Sequence, residues 1–285
     1  MSSRVALPDR HILCAGGLPE AAAIVKRGGM TQMADDPAPR RGSLAGRIIR
    51  RLLQLVLALA LIFAALLVLY RFLPAPSTLM LGRWLTFRSV DRDWVPIGQI
   101  SPHLIRAVIA AEDQRFCSHN GVDWDELNAV LQDEDGPSRG ASTLTMQTAK
   151  NLFLWPGRSY LRKGLELPIA LALDLTWPKQ RVLEVYLNVA EWGDGIFGAE
   201  AAARRHFGKP AARLTAEEAA RLAGALPNPI VRNAARPSRA LNSAAGRVQR
   251  RMGQIGPLAN CALPGAGAQA SLFAPDALAS AGRSV

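Results

Sequence analysis

An uninterrupted apolar run constrains this chain more than any other feature. Residues 52–70 read LLQLVLALALIFAALLVLY, 19 positions without a charged side chain, of which Gln54 is the one strongly polar member. At about 1.5 Å per helical residue, such a run nearly crosses a hydrocarbon core of about 30 Å. The sequence therefore predicts a single transmembrane helix, which we place at residues 48–71.

Arginines are concentrated on one side of this run. Only Arg71 follows it directly, and cytoplasmic flanks are the ones enriched in Lys and Arg, so the N-terminus is expected in the cytoplasm and the rest of the chain outside the inner membrane. A cleaved signal or a buried core helix is the alternative, but the run is long for a signal core and no A-x-A pattern follows it closely. The arginines that precede it are Arg40, Arg41, Arg47, Arg50 and Arg51.

The remaining chain divides into two tails and one domain. Residues 1–47 lack helical periodicity and predict a disordered cytoplasmic tail, with Met30 and Met33 as alternative start sites. Residues 261–285 are mostly small residues, Pro and Leu, and predict a flexible C-terminal tail. Residues 72–260 read as helices separated by Gly and Pro, so the expected fold class is mainly α.

Two helix starts carry recognisable caps. Ser101 followed by Pro102 predicts the start of a helix with one apolar face. Thr215 and Glu218 have the spacing of a capping box, and Leu214 stands at the position of a hydrophobic staple.

The net charge and the cysteine content do not distinguish between the possible functions. The net charge of +11 suits nucleic acid, anionic lipid or a pyrophosphate-bearing substrate equally well. The three cysteines, Cys14, Cys117 and Cys261, are odd in number and widely spaced, without a C-x-x-C pair. They therefore suggest neither a disulfide framework nor a zinc site.

The first candidate site segment is EDQRFCSHNGVD, at residues 112–123. Glu112 stands where an apolar helix gives way to polar residues, a position whose desolvation would raise the pKa of the carboxyl group toward that of a useful base. Such an acidic pair, read alone, is more often a solvated helix end. His119 is expected to form structural hydrogen bonds near Gly121.

Two further segments carry cations and hydroxyls. Residues 139–151, RGASTLTMQTAKN, offer backbone N–H groups and Lys150 to a phosphate, although a Ser-capped helix with a surface lysine has the same pattern. Residues 158–166, RSYLRKGLE, cluster cations around Glu166, a pattern that alone is typical of a solvated charged helix face.

Together and in this order, these segments resemble the glycosyltransferase family 51 domain of peptidoglycan polymerases. That family's E-D-x-x-F-x-x-H-x-G-x-D, G-G/A-S-T-[IL]-T-x-Q-x-x-K-N-L and R-K-x-x-E segments correspond to residues 112–123, 140–152 and 162–166. The resemblance covers roughly residues 85–250. Residues 179–188 and 193–202 look like the family's remaining signatures, and residues 190–195 and 226–229 look like its monofunctional branch.

The resemblance implies a lysozyme-like helical domain that polymerises lipid II into β-1,4-linked glycan and releases polyprenyl diphosphate. It assigns Glu112 as the catalytic base and Glu166 as a second catalytic carboxylate, which would either orient the cations or help to hold a divalent metal at the diphosphate. It requires no cofactor, although Mg²⁺ or Mn²⁺ would be held jointly with the substrate phosphates. Ala141 and Met146 depart from the common pattern, and Met146 stands where many members carry glutamine. The substrate-binding residues implied are Arg115, Ser142, Gln147, Lys150, Arg158, Arg162 and Lys163.

The implied partners are lipid II, the growing glycan chain, the membrane, and other cell-wall synthesis or division proteins. Nucleic acid is excluded once the domain lies outside the cytoplasm. A lysozyme-like lytic enzyme is one alternative, but cleavage of an uncharged glycosidic bond has no use for pyrophosphate ligands. A non-catalytic, membrane-tethered cell-wall binding protein is the other, and retention of both Glu112 and Glu166 argues against it.

Overall fold

The structure is a computed structural model that describes residues 44–133, 141–157 and 159–263. The expectations for most of the N-terminal tail and for residues 264–285 lie outside the described residues. So do those for Cys14, Met30, Met33, Arg40, Arg41 and Arg158.

Helices dominate the described part of the chain, as expected for a mainly α protein. Most begin at a side-chain cap and end where polar or small residues interrupt the apolar periodicity. Their bounds are α1 Leu44–Phe72, α2 Thr78–Leu85, α3 Pro102–Glu112, α4 Trp124–Leu131, α5 Leu144–Phe153, α6 Tyr160–Thr176, α7 Lys179–Val189, α8 Ala199–Phe207, α9 Ala216–Ala225 and α10 Arg239–Gln254. Three-residue to six-residue 3₁₀ turns cover Ile97–Gln99, Ala211–Arg213 and Pro257–Ala262.

Helix α1 contains the apolar run. Over its 29 residues it is long and apolar enough to cross a membrane, and almost none of its most apolar stretch is buried in the protein. The chain divides between Leu53 and Gln54 into two units. Residues 44–53 form the exposed beginning of α1, and the helix from Gln54 onward belongs to the unit that carries the rest of the domain.

Within that second unit, the end of α1 is attached to the domain by hydrogen bonds. The indole N–H of Trp177 donates to the carbonyl oxygen of Leu67 at 2.9 Å. The Arg181 guanidinium donates to the carbonyl oxygens of Tyr70 and Leu73 at 2.7 and 2.6 Å. The Tyr70 carbonyl is one of the last four of α1 and has no partner within the helix, so the domain satisfies a group that the helix itself cannot.

Both predicted caps are confirmed. The Ser101 hydroxyl accepts from the backbone N–H of His103, and Pro102 occupies the first helical position of α3. Thr215 and Glu218 form the reciprocal capping box of α9, and Leu214 before it is buried.

Helix α7 lies at the centre of the core. Its side chains Val182, Leu183, Val185 and Leu187 are fully buried, so water reaches almost none of its apolar surface. Helix α5 packs against α7 on one side and α6 on the other, while α9 packs against α3 and α10. α7 therefore supports α5, which carries Gln147 and Lys150, whereas α3, which carries Glu112, packs against α9 and α10.

A small sheet completes the described fold. Its strands follow the order β1 Asp91–Arg92, β3 Ile196–Phe197 and β2 Glu191–Gly193. β1 and β3 are parallel, with Asp91 opposite Ile196, whereas β2 and β3 are antiparallel with an irregularity in β2. The expectation that strand-like runs are few is thus met.

The prediction that the cysteines form no disulfide framework is wrong for two of them. Cys117 and Cys261, 144 residues apart in sequence, form a disulfide whose Cα atoms are 5.7 Å apart. Cys261 and Ala262 therefore belong to the ordered 3₁₀ turn rather than to the C-terminal tail that was expected to begin at residue 261. Sequence spacing cannot show that two distant cysteines meet, because only the packing of the segments between them brings them within bonding distance.

Removing this disulfide should destabilise the folded domain. A cross-link that closes a loop of this length restricts the unfolded chain, and loss of a native disulfide costs about 2–5 kcal/mol. We expect the paired variant Cys117→Ser/Cys261→Ser to unfold at lower denaturant concentration by about that free energy. Tryptophan fluorescence of the detergent-solubilised chain measures it.

The chain supplies its own control, Cys14→Ser, which removes the third thiol. It should leave the unfolding midpoint unchanged. Equal midpoints for the wild type and the paired variant would contradict a stabilising role for the disulfide.

Candidate active site

Glu112 ends helix α3, the position that the sequence predicts for it. The side-chain N–H of Gln147 donates to its Oε2 at 2.9 Å. Burial raises the pKa of the Glu112 carboxyl group, and the neighbouring Asp113 adds to this rise, while the Gln147 hydrogen bond and the charge of Lys150 oppose it. A carboxylate with a raised pKa is a stronger base than an ordinary surface glutamate.

The next residue, Asp113, joins three segments. It is buried, and His119 Nε2 lies 3.0 Å from each of its carboxylate oxygens. The backbone N–H of Leu144, at the start of α5, donates to Asp113 Oδ2 at 2.9 Å. His119 therefore has the structural hydrogen-bonding role expected of it, and the loop after Glu112 is attached to the beginning of α5.

The turn at Gly121 is similarly constrained. Its φ angle is +82°, in the left-handed region that favours glycine, and an added Cβ would lie 2.7 Å from the carbonyl oxygen of Ala170. The hydroxyl of Thr143 donates to the Gly121 carbonyl at 2.6 Å. The first and second sequence segments thus meet at a point where only glycine fits without displacement.

The structure corrects two points in the interpretation of residues 139–151. Thr143, not a serine, caps α5, and the amides of Leu144 and Met146 already donate to Asp113 and to the Thr143 hydroxyl. Those two N–H groups are therefore not available to a phosphate. Lys150 is not a surface lysine either: burial lowers its pKa, and the charge of Glu166 opposes that shift.

Glu166 lies on α6 and is only 2% exposed, so the interpretation of its segment as a solvated face is wrong. Arg162 and Lys163 both pair with it, Arg162 through Oε1 and Lys163 through Oε2 at 2.9 Å. Lys163 Nζ also donates to the hydroxyl of Ser142 at 2.9 Å. The second and third segments are joined by this lysine.

Lys150 connects the two carboxylates electrostatically. It interacts with Glu166, Arg162 and Lys163 on one side and with Glu112 on the other. In a partly buried region such interactions are screened much less than in water. Glu112 and Glu166 therefore belong to one charged network, although they lie on different helices.

A cavity of about 420 Å³ opens in front of Glu112. Among the predicted residues, Glu112, Arg115 and Ser142 line it. Its lining residues are Ala111, Glu112, Asp113, Gln114, Arg115, Asp123, Glu126, Ala141, Ser142, Thr143 and Arg251. Gln147, Lys150, Arg162, Lys163 and Glu166 are not among these and reach it through Glu112, Ser142 and their own ion pairs.

Arg115, which was predicted to bind substrate, is already paired with two acidic side chains. Its guanidinium pairs with Asp125 at 2.8 Å and with Asp123 at 3.3 Å. Half of its side chain is exposed on the cavity side. It would have to exchange one of these partners to bind an anion.

Sequence reasoning missed three residues of the site. Asp113 and Tyr186 lie within segments that the sequence singled out, but nothing in the pattern indicates what they contact. Arg251 comes from α10 and lines the cavity. The signal for it is weak, because adjacent arginines on a basic helix are usually solvated.

The described residues contain no group of three or more His, Cys, Asp or Glu side chains that could hold a metal ion. Both oxygens of Glu166 are already occupied by Arg162 and Lys163. The residues present therefore do not fit a metal held by Glu166.

Known proteins are similar to this chain over most of its helical domain. The family described as Transglycosylase matches residues 80–253. A biosynthetic peptidoglycan transglycosylase of Rhodospirillum centenum is 53% identical over 214 residues, which are 74% of this chain and 93% of that protein. One of Agrobacterium fabrum is 51% identical over 218 residues, 75% of this chain and 96% of that protein.

The helical fold and the two-carboxylate site are thus those of a glycan-processing enzyme of lysozyme-like architecture. The chain belongs to the transglycosylase family. The expected family and the expected mainly α, lysozyme-like domain with one N-terminal helix that could span a membrane are confirmed.

The raised pKa of Glu112 has a consequence for stability. The folded state binds this proton more tightly than the unfolded state, so ionised Glu112 destabilises the fold above the raised pKa, and the penalty disappears as pH falls toward the ordinary glutamate value. Glu112→Gln should therefore be more stable than the wild type at neutral pH. The gain should narrow on acidification.

Denaturant unfolding at several pH values measures this difference. Glu217→Gln, an exposed carboxylate on α9, gives the baseline for a Glu-to-Gln change. A Glu112→Gln variant that is less stable than the wild type at neutral pH would show that burial does not penalise this carboxylate.

Proposed function

We propose that this chain is a peptidoglycan glycosyltransferase that polymerises lipid II into β-1,4-linked glycan strands and releases polyprenyl diphosphate. The observation that carries the proposal is the arrangement beside one cavity. Glu112, a desolvated carboxylate, lines it, and so does Ser142, whose hydroxyl accepts from Lys163, a cation that is paired with Glu166 together with Arg162. One part suits proton abstraction, and the other suits a diphosphate leaving group.

Glu112 acts as the general base. The 4-hydroxyl of the acceptor sugar is a weak nucleophile at neutral pH, so its proton must leave as the oxygen attacks the anomeric carbon. The proton passes to Glu112 while the new C–O bond forms and the bond to the diphosphate breaks with inversion. Such proton transfer contributes typically about 10²- to 10⁴-fold in rate.

The cations stabilise the leaving group. Negative charge develops on the bridging oxygen of the diphosphate, and preorganised cations in a partly dry site stabilise it better than water. We assign this role to Lys150, Arg162 and Lys163, and by the resemblance to Arg158 as well. The planar fork of arginine suits phosphate oxygens, whereas lysine supplies a point charge.

Glu166 organises these cations. Its two oxygens are occupied by Arg162 and Lys163, which favours this role over that of a metal ligand. Ser142 completes the arrangement by accepting from Lys163. Ser142 and Arg115 are assigned to substrate binding, Arg115 on the condition that it exchanges an acidic partner. Gln147, which the resemblance also implied as a substrate ligand, bonds to Glu112 and Tyr186, so we assign it to the base instead. No step of the reaction is assigned to Mg²⁺ or Mn²⁺.

The same contacts disfavour a lytic enzyme. Glycosidases use two carboxyl groups, one to protonate the leaving oxygen and one as base or nucleophile. Both carboxylate oxygens of Glu166 are paired, one with Arg162 and one with Lys163, so neither is placed to meet the leaving oxygen of a glycosidic bond. A non-catalytic binding protein would not need a desolvated base beside these cations.

We assign residues 1–47 to a cytoplasmic tail, residues 48–71 to the membrane anchor, and the glycosyltransferase domain from residue 72 to the periplasm. The Cys117–Cys261 disulfide supports this orientation, since disulfides persist in oxidising compartments outside the cytoplasm. We extend the domain beyond residue 260 to include Cys261. Other cell-wall synthesis or division proteins are its expected partners.

The reaction is tested with labelled lipid II and detergent-solubilised chain, with and without Mg²⁺. We expect wild-type polymer that muramidase digests, and a loss of at least about 10²-fold for Glu112→Gln because the base is removed. Glu166→Gln should also lose most activity, since Arg162 and Lys163 lose their common partner. Glu217→Gln serves as the control and should remain active.

Cleavage of preformed glycan without polymer formation would replace the synthase by a lytic enzyme. Binding without either reaction, from a folded chain, would favour the tethered binding protein. Polymer formed only with the divalent cation would add a metal to the substrate diphosphate without changing the base.

The orientation has a simple test, because Cys14 is the one cysteine outside the disulfide. In spheroplasts, a membrane-impermeant maleimide should leave Cys14 unlabelled, whereas a permeant one should label it. Ser243→Cys in a Cys14→Ser background provides the converse control on the exposed face of α10. Labelling of Cys14 by the impermeant reagent would reverse the assigned topology.

A further inference from the structure

A buried tyrosine lies behind the proposed catalytic base. Tyr186 belongs to the central helix α7 and is 2% exposed. Its hydroxyl donates to Oε1 of Gln147 on α5, at 3.0 Å. A buried hydroxyl needs a hydrogen-bond partner, and here the partner is a residue that touches Glu112.

Gln147 uses both ends of its amide. The carbonyl oxygen accepts from Tyr186, and Nε2 donates to Glu112 at 2.9 Å. An ionised carboxylate can only accept hydrogen bonds, so it requires the NH₂ end of the amide. If the amide turned over, two acceptors would face each other at Glu112.

We propose that Tyr186 is a positioning residue for catalysis: its hydroxyl holds the Gln147 amide in the orientation that presents Nε2 to the carboxylate of Glu112. The inference rests on the proposed function, in which Glu112 is the general base. Among the described residues, the hydroxyl of Tyr186 bonds to Gln147 rather than to Glu112, and Tyr186 does not line the cavity, so it acts through Gln147.

The charged groups around Glu112 come from several helices. Asp113 follows it directly, Lys150 faces it from α5, and Arg251 of α10 lines the same cavity. Burial raises the pKa of Tyr186 well above its usual value, and the charge of Glu112 adds to the rise. Tyr186 thus remains a neutral donor while Glu112 titrates. It is the donor to the Gln147 carbonyl oxygen, and a longer contact of 3.5 Å from Gln147 Nε2 to the Ser142 carbonyl favours the same orientation of the amide.

Tyr186→Phe tests the hydroxyl while keeping the buried ring. Loss of the orienting hydrogen bond weakens the donation to Glu112, so the pKa of the base rises and the acid limb of the pH–rate profile moves to higher pH. We expect a shift of about half to one pH unit, which means about a 3- to 10-fold lower rate on that limb and recovery at the alkaline plateau. The KM for lipid II should not change.

Gln147→Met provides the second variant, since it removes the donor itself. It should shift the acid limb in the same direction by at least as much. The double variant Tyr186→Phe/Gln147→Met should match Gln147→Met alone, because two residues that act through one contact are not additive. Tyr160→Phe is the matched control: its side chain is 99% exposed, and its profile should be that of the wild type.

The measurement is polymerisation rate against pH for these variants, with thermal unfolding to confirm that each is folded at the assay temperature. An unmoved acid limb in folded Tyr186→Phe, or an additive shift in the double variant, would overturn the positioning role. A uniform loss of rate at every pH would also overturn it and leave Tyr186 as a packing residue. An inactive wild type would instead contradict the proposed function.

Discussion

The carboxylate of Asp113 is the interaction on which the site depends. It is buried, and it is bound by His119 from the following loop and by the first amide of α5. Burying a charge is costly unless it is paired and hydrogen-bonded, so these contacts are needed together. They fix the end of α3 relative to the start of α5, which sets where Glu112 stands relative to Ser142, Gln147 and Lys150.

The two carboxylates of the site, Glu112 and Glu166, have different electrostatic surroundings. Glu112 is partly desolvated, and burial makes its ionised form less stable than in water. Glu166 is buried as well, but two cations compensate its charge. In the proposed mechanism, one buried carboxylate is therefore the base and the other organises the cations, because their neighbours differ.

The domain also binds the end of α1 and the C-terminal 3₁₀ turn. Trp177 and Arg181 bind carbonyl groups at the end of α1, and the disulfide attaches the C-terminal 3₁₀ turn to the loop that follows Glu112. In the proposed topology, the cavity is kept in a fixed position relative to the end of the membrane anchor. A substrate whose lipid tail stays in the bilayer would benefit from such a fixed position.

The sequence by itself determined those features that depend on residues close together in the chain. The apolar run predicted α1, Ser101 and Thr215 predicted helix starts, and Glu112 was placed at a helix end, because helix periodicity and capping are local. The ordered motifs identified the family and its candidate residues. Only the tertiary structure decided the disulfide, the burial of Lys150, the paired state of Arg115, the cavity position of Arg251 and the contact between Tyr186 and Gln147. Most of these join residues distant in the chain, and the Arg115 pairs depend on how the loop after α3 folds back onto α4. Both depend on packing, which local patterns do not encode.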